Sequence, residues 1–145
     1  MLQRRRGHVV LVSSIAGRSA TAMNGPAYTA TKWGLRGLAL ALAQDWHATG
    51  VRVSAIYPGP VSGAGMFASA GFPAPAWLGT STPAQVARAV ADAIEHGRTD
   101  TIVARPVPRL VAEFGATAPE FVGAISRAKG RDLRDKMLAV RQTRW

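Results

Sequence analysis

The sequence predicts an α/β fold built on a parallel sheet, and three observations carry that prediction. Gly7 to Ser14 (GHVVLVSS) is a continuous apolar, β-branched run of strand length, the pattern of a central strand buried on both faces of a parallel sheet. Pro26 to about Ala48 contains no helix breaker. Val51 to Tyr57 (VRVSAIY) is a second strand-like run, and the order strand, helix, strand makes the two strands parallel with a right-handed crossover.

Each element follows from its residues. The first strand ends at the polar pair Ser13-Ser14. Ile15 to Gly25, rich in small residues, is a loop at the strand's carboxyl end, where open α/β sheets place their ligands. Asn24 and Gly25 cap the next helix, Pro26 suits its first turn, and Thr49-Gly50 stops it. Leu38, Leu40, Leu42 and the alanines make this helix apolar almost all round, so it is expected to pack on the sheet and also against a partner.

Beyond Pro58 the composition shifts. Pro60 to Pro83 holds many Gly, Ala, Ser and Pro residues together with Met66, Phe67, Phe72 and Trp77. It is too long for an idle connection and too apolar for a solvated linker, so residues 60–82 are expected to form a loop over a substrate. Thr82-Pro83-Ala84-Gln85 opens a helix with a capping box; the helix runs from Pro83 to Glu95 and ends at His96-Gly97. Thr101 to Ala104 is a short third strand. Residues 106–145 contain helical segments broken near Gly115 to Pro119 and at Gly130. With 145 residues and 48% apolar content, the chain is sized for one core and one domain.

Composition narrows the function classes. No cysteine is present, so disulfides and thiolate metal sites are excluded. His8, His47 and His96 have no metal-ligand spacing, and no metal site is expected. The apolar stretch behind Arg4-Arg5-Arg6 is too short for a signal peptide, and Gly37 to Ala43 falls far below the roughly 20 residues of a membrane span. A cytoplasmic location without membrane contact is expected. The formal charge is +10, with basic residues concentrated between Arg127 and Arg144. No aromatic interleaving or nucleic-acid motif accompanies them, so they read as solvated helix faces, and a nucleic-acid partner is not expected.

Chemistry is concentrated in Tyr28 and Lys32. Residues four apart share a helix face, so the Lys32 ammonium can stand near the Tyr28 phenol. A phenol is largely protonated at neutral pH, and a nearby cation favours the phenolate, which suits it to proton exchange with an alcohol or ketone. Alone the pair is an ordinary helical pair. Ser14, at a strand end 14 positions earlier, adds a hydroxyl able to hold the same substrate oxygen. Ser13 is the alternative for that role.

In this order and spacing, VSSIAG, YTATKWGLRGL and GVRVSAIYPGPV resemble the second half of the short-chain dehydrogenase/reductase family, closely over residues 7–63 and loosely beyond. The resemblance implies the C-terminal portion of a Rossmann-type, doubly wound parallel sheet that uses NAD or NADP. It implies a serine, tyrosine and lysine at Ser14, Tyr28 and Lys32, with Lys32 also contacting the nicotinamide ribose. Pro58, Gly59, Pro60 and Val61 match the segment that lies along the nicotinamide, where Pro and Gly let the backbone approach a flat ring. The implied reaction is hydride transfer between the cofactor and a ketone or secondary alcohol.

Three elements of the family pattern have no counterpart in the 145 residues. The glycine-rich phosphate loop, with the residue that selects NAD or NADP, and the catalytic asparagine both belong upstream of Gly7. The threonine past Pro-Gly is replaced by Gly63, with Ser62 beside it. The chain therefore reads as a single partial domain, the catalytic half without its N-terminal cofactor-binding strands, with Met1 as an internal methionine, and is expected to be inactive unless a separate polypeptide supplies the upstream sheet. Met66 and Phe67 are expected to line the substrate pocket. A homo-oligomer through the 26–48 helix is expected. The alternative is a noncatalytic fragment that serves as an association module or a basic binder of an acidic partner or nucleic acid.

Overall fold

The computed structural model of the chain describes residues 1–21, 24–65, 69, 78–128 and 135. Along the chain come β1 (Gly7–Val12), a 3-10 turn (Ile15–Gly17), α1 (Pro26–Asp45), β2 (Val51–Pro58), α2 (Pro83–His96), β3 (Asp100–Val103) and α3 (Pro106–Phe114). Residues 119–128 are helical as well. The strands form one sheet in the order β1-β2-β3. Both pairings are parallel, with Val12 opposite Ile56 and Val103 opposite Pro58.

The core of the described sheet lies on β2. Among the described residues β1 pairs only with β2, and its residues are half-buried, with Val12 exposed. β2 holds the central position and is buried at every residue but Arg52. An apolar run has the composition for burial, but burial itself requires neighbours on both sides, and composition does not specify those. β1 also stops at Val12, two residues early; Ser13 keeps one ladder bond, from its N–H to the Ile56 carbonyl at 2.8 Å.

Alternation along β2 sorts its side chains between two layers. Val53, Ala55 and Tyr57 form the core with Ala39 of α1, flanked by Leu11, Leu42, Trp46 and Ile102. Ser54 and Ile56 face the opposite layer, where α2 packs on β2 and β3. Helices on both faces of a parallel sheet are the doubly wound arrangement, in agreement with a Rossmann-type reading.

α1 starts at Pro26 as expected but ends at Asp45, three residues before Ala48. Ala48 and Gly50 take left-handed backbone conformations, with φ of 62° and 84°, which no helix continues. A Cβ on Gly50 would fall 2.0 Å from the Arg5 carbonyl oxygen, so glycine is required there by approach as well as by φ. The helix is also less enclosed than its composition suggests. Ala39 is its one fully buried residue, while Leu38 and Leu40 are exposed, because a single sheet covers a single face.

α2 follows its sequence signals closely. Thr82 Oγ1 accepts from the Gln85 N–H, the Gln85 side chain accepts from the Thr82 N–H, and Gly97 closes the helix at φ 65°. β3 is displaced by one residue, to Asp100–Val103. α3 packs on the 3-10 turn and β3, and Gly115 sits so close to Ser19 that a Cβ would lie 2.1 Å from the serine Cβ. No described helix is long and apolar enough to cross a membrane.

Candidate active site

The site is assembled where β1 and β2 end side by side. Because Val12 pairs with Ile56, Ser14 and Pro58 each stand two residues beyond the same rung of the ladder. The 3-10 turn then carries the chain over toward α1, with which it is in contact.

Sequence alone left Ser13 and Ser14 as alternatives, and the structure gives them different partners. Ser14 has extended backbone and caps the 3-10 turn, its Oγ accepting from the Ala16 N–H at 3.2 Å. A hydroxyl has one proton and two lone pairs, so Ser14 retains its proton for another acceptor. Ser13 is buried, and its Oγ donates to the main-chain carbonyl of Lys32 at 2.9 Å.

On α1, Tyr28 and Lys32 are both half-buried. The Lys32 Nζ lies 5.5 Å from the centroid of the Tyr28 ring, within cation–π range. The geometry thus brings the tyrosine and lysine together, and the Ser13 bond ties the strand end that bears Ser14 to the same helical turn.

The Pro58–Val61 segment is held by main-chain bonds to β3 and to Ser81. Gly59 N–H donates to the Val103 carbonyl at 2.9 Å, Ser81 N–H to the Pro60 carbonyl at 2.8 Å, and Ser62 N–H to the Ser81 carbonyl at 2.9 Å. Gly63 has φ 67°, so threonine would be strained where glycine is not. Ser62, the neighbouring hydroxyl, already donates to the Ser81 carbonyl. Met66 and Phe67, with Phe72 and Trp77, lie outside the described residues.

Sequence reading missed the group that fastens the loop. Arg18, just past the 3-10 turn, pairs with Asp100 of β3 and lies over the Tyr57 ring. No local signal marks a partner 82 residues away. Burial, and next the Asp100 carboxylate, push the Tyr57 phenol up to about 12. Among the described residues its hydroxyl has no partner in hydrogen-bonding geometry, and Asp100 acts on it chiefly through charge.

This architecture is that of the Rossmann-type α/β class. A short chain dehydrogenase from Burkholderia cenocepacia, solved with NADP, shares the fold at a TM-score of 0.65 and 21% identity, over 83% of this chain and 47% of that one. A short chain dehydrogenase from Mycobacterium paratuberculosis bound to NAD matches at 0.57 and 25% identity, over 74% and 48%. The short chain dehydrogenase family profile matches residues 1–71. A ketoacyl reductase, HetN, from Nostoc is 36% identical over 132 residues, 88% of this chain and 46% of the reductase. The chain spans about half the length of this curated relative. Together these matches support the short-chain dehydrogenase family for this chain.

Proposed function

We propose that the chain carries the catalytic portion of an NAD(P)-dependent oxidoreductase of the short-chain type, acting between a ketone and a secondary alcohol. One observation carries the reading: a strand end with a free hydroxyl proton at Ser14 is tied to the helical turn on which Tyr28 and Lys32 are paired. The similarity to a ketoacyl reductase makes a ketoacyl-type ketone the first substrate to try.

A bound nicotinamide would supply the hydride for reduction of the carbonyl carbon and accept it in the reverse direction. The donor set suits its ribose end, since Lys32 offers an ammonium and Tyr28, paired with it, a hydroxyl, and the Pro58–Val61 backbone is assigned to the nicotinamide. Tyr28 then delivers its hydroxyl proton to the carbonyl oxygen, or takes it back from the alcohol. Ser14 donates to the same oxygen, and the Lys32 cation offsets negative charge on the Tyr28 oxygen as the proton leaves.

The phosphate end of the cofactor has no glycine-rich loop within residues 1–145. The isolated chain is therefore expected to bind NADH or NADPH weakly and to turn over slowly. Exposed Leu38 and Leu40 on α1 favour self-association through that helix, and the cytoplasm is the expected location. The test is ketone reduction, with 3-ketoacyl thioesters in the panel, by the chain alone and by the chain joined to a glycine-rich nucleotide-binding half. Turnover lost in Tyr28→Phe supports the proposal; turnover indifferent to Tyr28→Phe overturns it.

A further inference from the structure

We infer that Ser13 and Gly17 are positioning residues for Lys32, a role that rests on the proposed oxidoreductase reading and deepens it. Ser13 spends its only proton on the Lys32 carbonyl. Inside α1 that carbonyl also serves the helix ladder, and its second lone pair is free to accept from the serine. The grip is on the main chain, so the ammonium of Lys32 stays available. Gly17 closes over the same atoms. A Cβ there would lie 2.5 Å from the Lys32 carbonyl oxygen and 2.7 Å from Ser13 Oγ, shorter than real Cβ contacts. Only hydrogen fits.

The 3-10 turn, the end of β1 and the second turn of α1 therefore meet at one point, one residue from Ser14. Tyr28 lies a turn back on the same rigid helix. Any shift of α1 at Lys32 moves Tyr28 and Lys32 together relative to Ser14, and a displacement of about 1 Å at a catalytic group can lower a rate by roughly 100-fold.

The test compares Ser13→Ala, Gly17→Ala and Ser13→Thr, which restores the donor, with Val51→Ala at the far end of β2 as a destabilised control. The first readout is NMR of chain labelled at the lysine ε-carbons, where Lys32 is one of 3 lysines and is identified by Lys32→Arg. Its ε-methylene resonance should be displaced by the Tyr28 ring. Ser13→Ala and Gly17→Ala should lose at least about half of that displacement, while Ser13→Thr and Val51→Ala keep it. The second readout is ketone turnover by the chain joined to a glycine-rich nucleotide-binding half. Here Ser13→Ala should lower kcat by roughly tenfold or more with KM little changed, and Ser13→Thr should recover it.

An unmoved Lys32 resonance in Ser13→Ala overturns the inference, as does an equal movement in Val51→Ala. If Gly17→Ala does not fold, the Ser13 pair of variants decides. If the unsubstituted protein shows no turnover, the functional reading fails, and the resonance still reports on the positioning.

Discussion

Arg18 and Asp100 form an ion pair that joins the loop after the 3-10 turn to the start of β3, with the guanidinium 5.2 Å above the ring of buried Tyr57. Their side chains are only 15% and 30% exposed, so solvent screens them less than an ordinary surface pair. Removing one partner leaves the other charge poorly solvated. Arg18→Ala or Asp100→Asn is expected to cost about 1–3 kcal/mol in urea denaturation. In a double-mutant cycle the two changes should be clearly non-additive.

The phenol held over that pair gives the fold an alkaline limit. Tyr57 ionises near 10 in the unfolded chain and at about 12 in the fold, chiefly because it is buried. A raised folded value means that the stabilisation is complete below about pH 10 and is lost as the pH rises from 10 toward 12. Tyr57→Phe should flatten denaturation midpoints across that window. At neutral pH it should change stability by less than about 1 kcal/mol, since the hydroxyl has no partner to lose.

At the amino end of the sheet, His8 sets the opposite limit. Ser54 Oγ donates its proton to the Arg98 carbonyl at 2.5 Å, so His8 Nε2, 2.7 Å from the same oxygen, must be the donor. Protonating Nδ1 then adds a charge that burial, and next the Arg52 guanidinium, oppose, which lowers the His8 pKa below 6.5. With the folded value depressed, this contribution is whole above pH 6.5 and is lost as the pH falls through the folded value. His8→Gln, which keeps a donor but cannot titrate, should flatten the acid side of the stability profile measured by denaturant unfolding.

α2 depends on its reciprocal cap. Thr82→Ala removes an acceptor for the Gln85 N–H and is expected to cost about 0.5–2 kcal/mol. Gln85→Ala, which leaves the Thr82 N–H without its acceptor, should cost less because that group is exposed to water. Circular dichroism during urea unfolding separates the two. No loss in Gln85→Ala would indicate that its half of the cap contributes nothing.

Local physics explains why much of this protein is legible in its sequence. Helix starts at Pro26 and Pro83, the stop at Gly97 and the strand runs of β1 and β2 depend on residues within a few positions of one another. Backbone preference and capping therefore determine them without reference to the rest of the chain. The same holds for Tyr28 and Lys32, because helical periodicity alone places them on one face.

What only the tertiary structure decided has longer reach. Among the described strands β2 is covered on both sides and β1 on one, since burial depends on which elements cover a strand and not on how apolar it is. The two serines diverge because Lys32 presents a carbonyl to Ser13 from 19 residues away, while Ser14 turns to its own loop. Arg18 meets Asp100 across 82 residues, and Gly17 is required by an oxygen on another element. Hydrogen bonds and ion pairs act over a few ångströms in space whatever the separation along the chain, so these pairings became definite only once the sheet had brought its ends together.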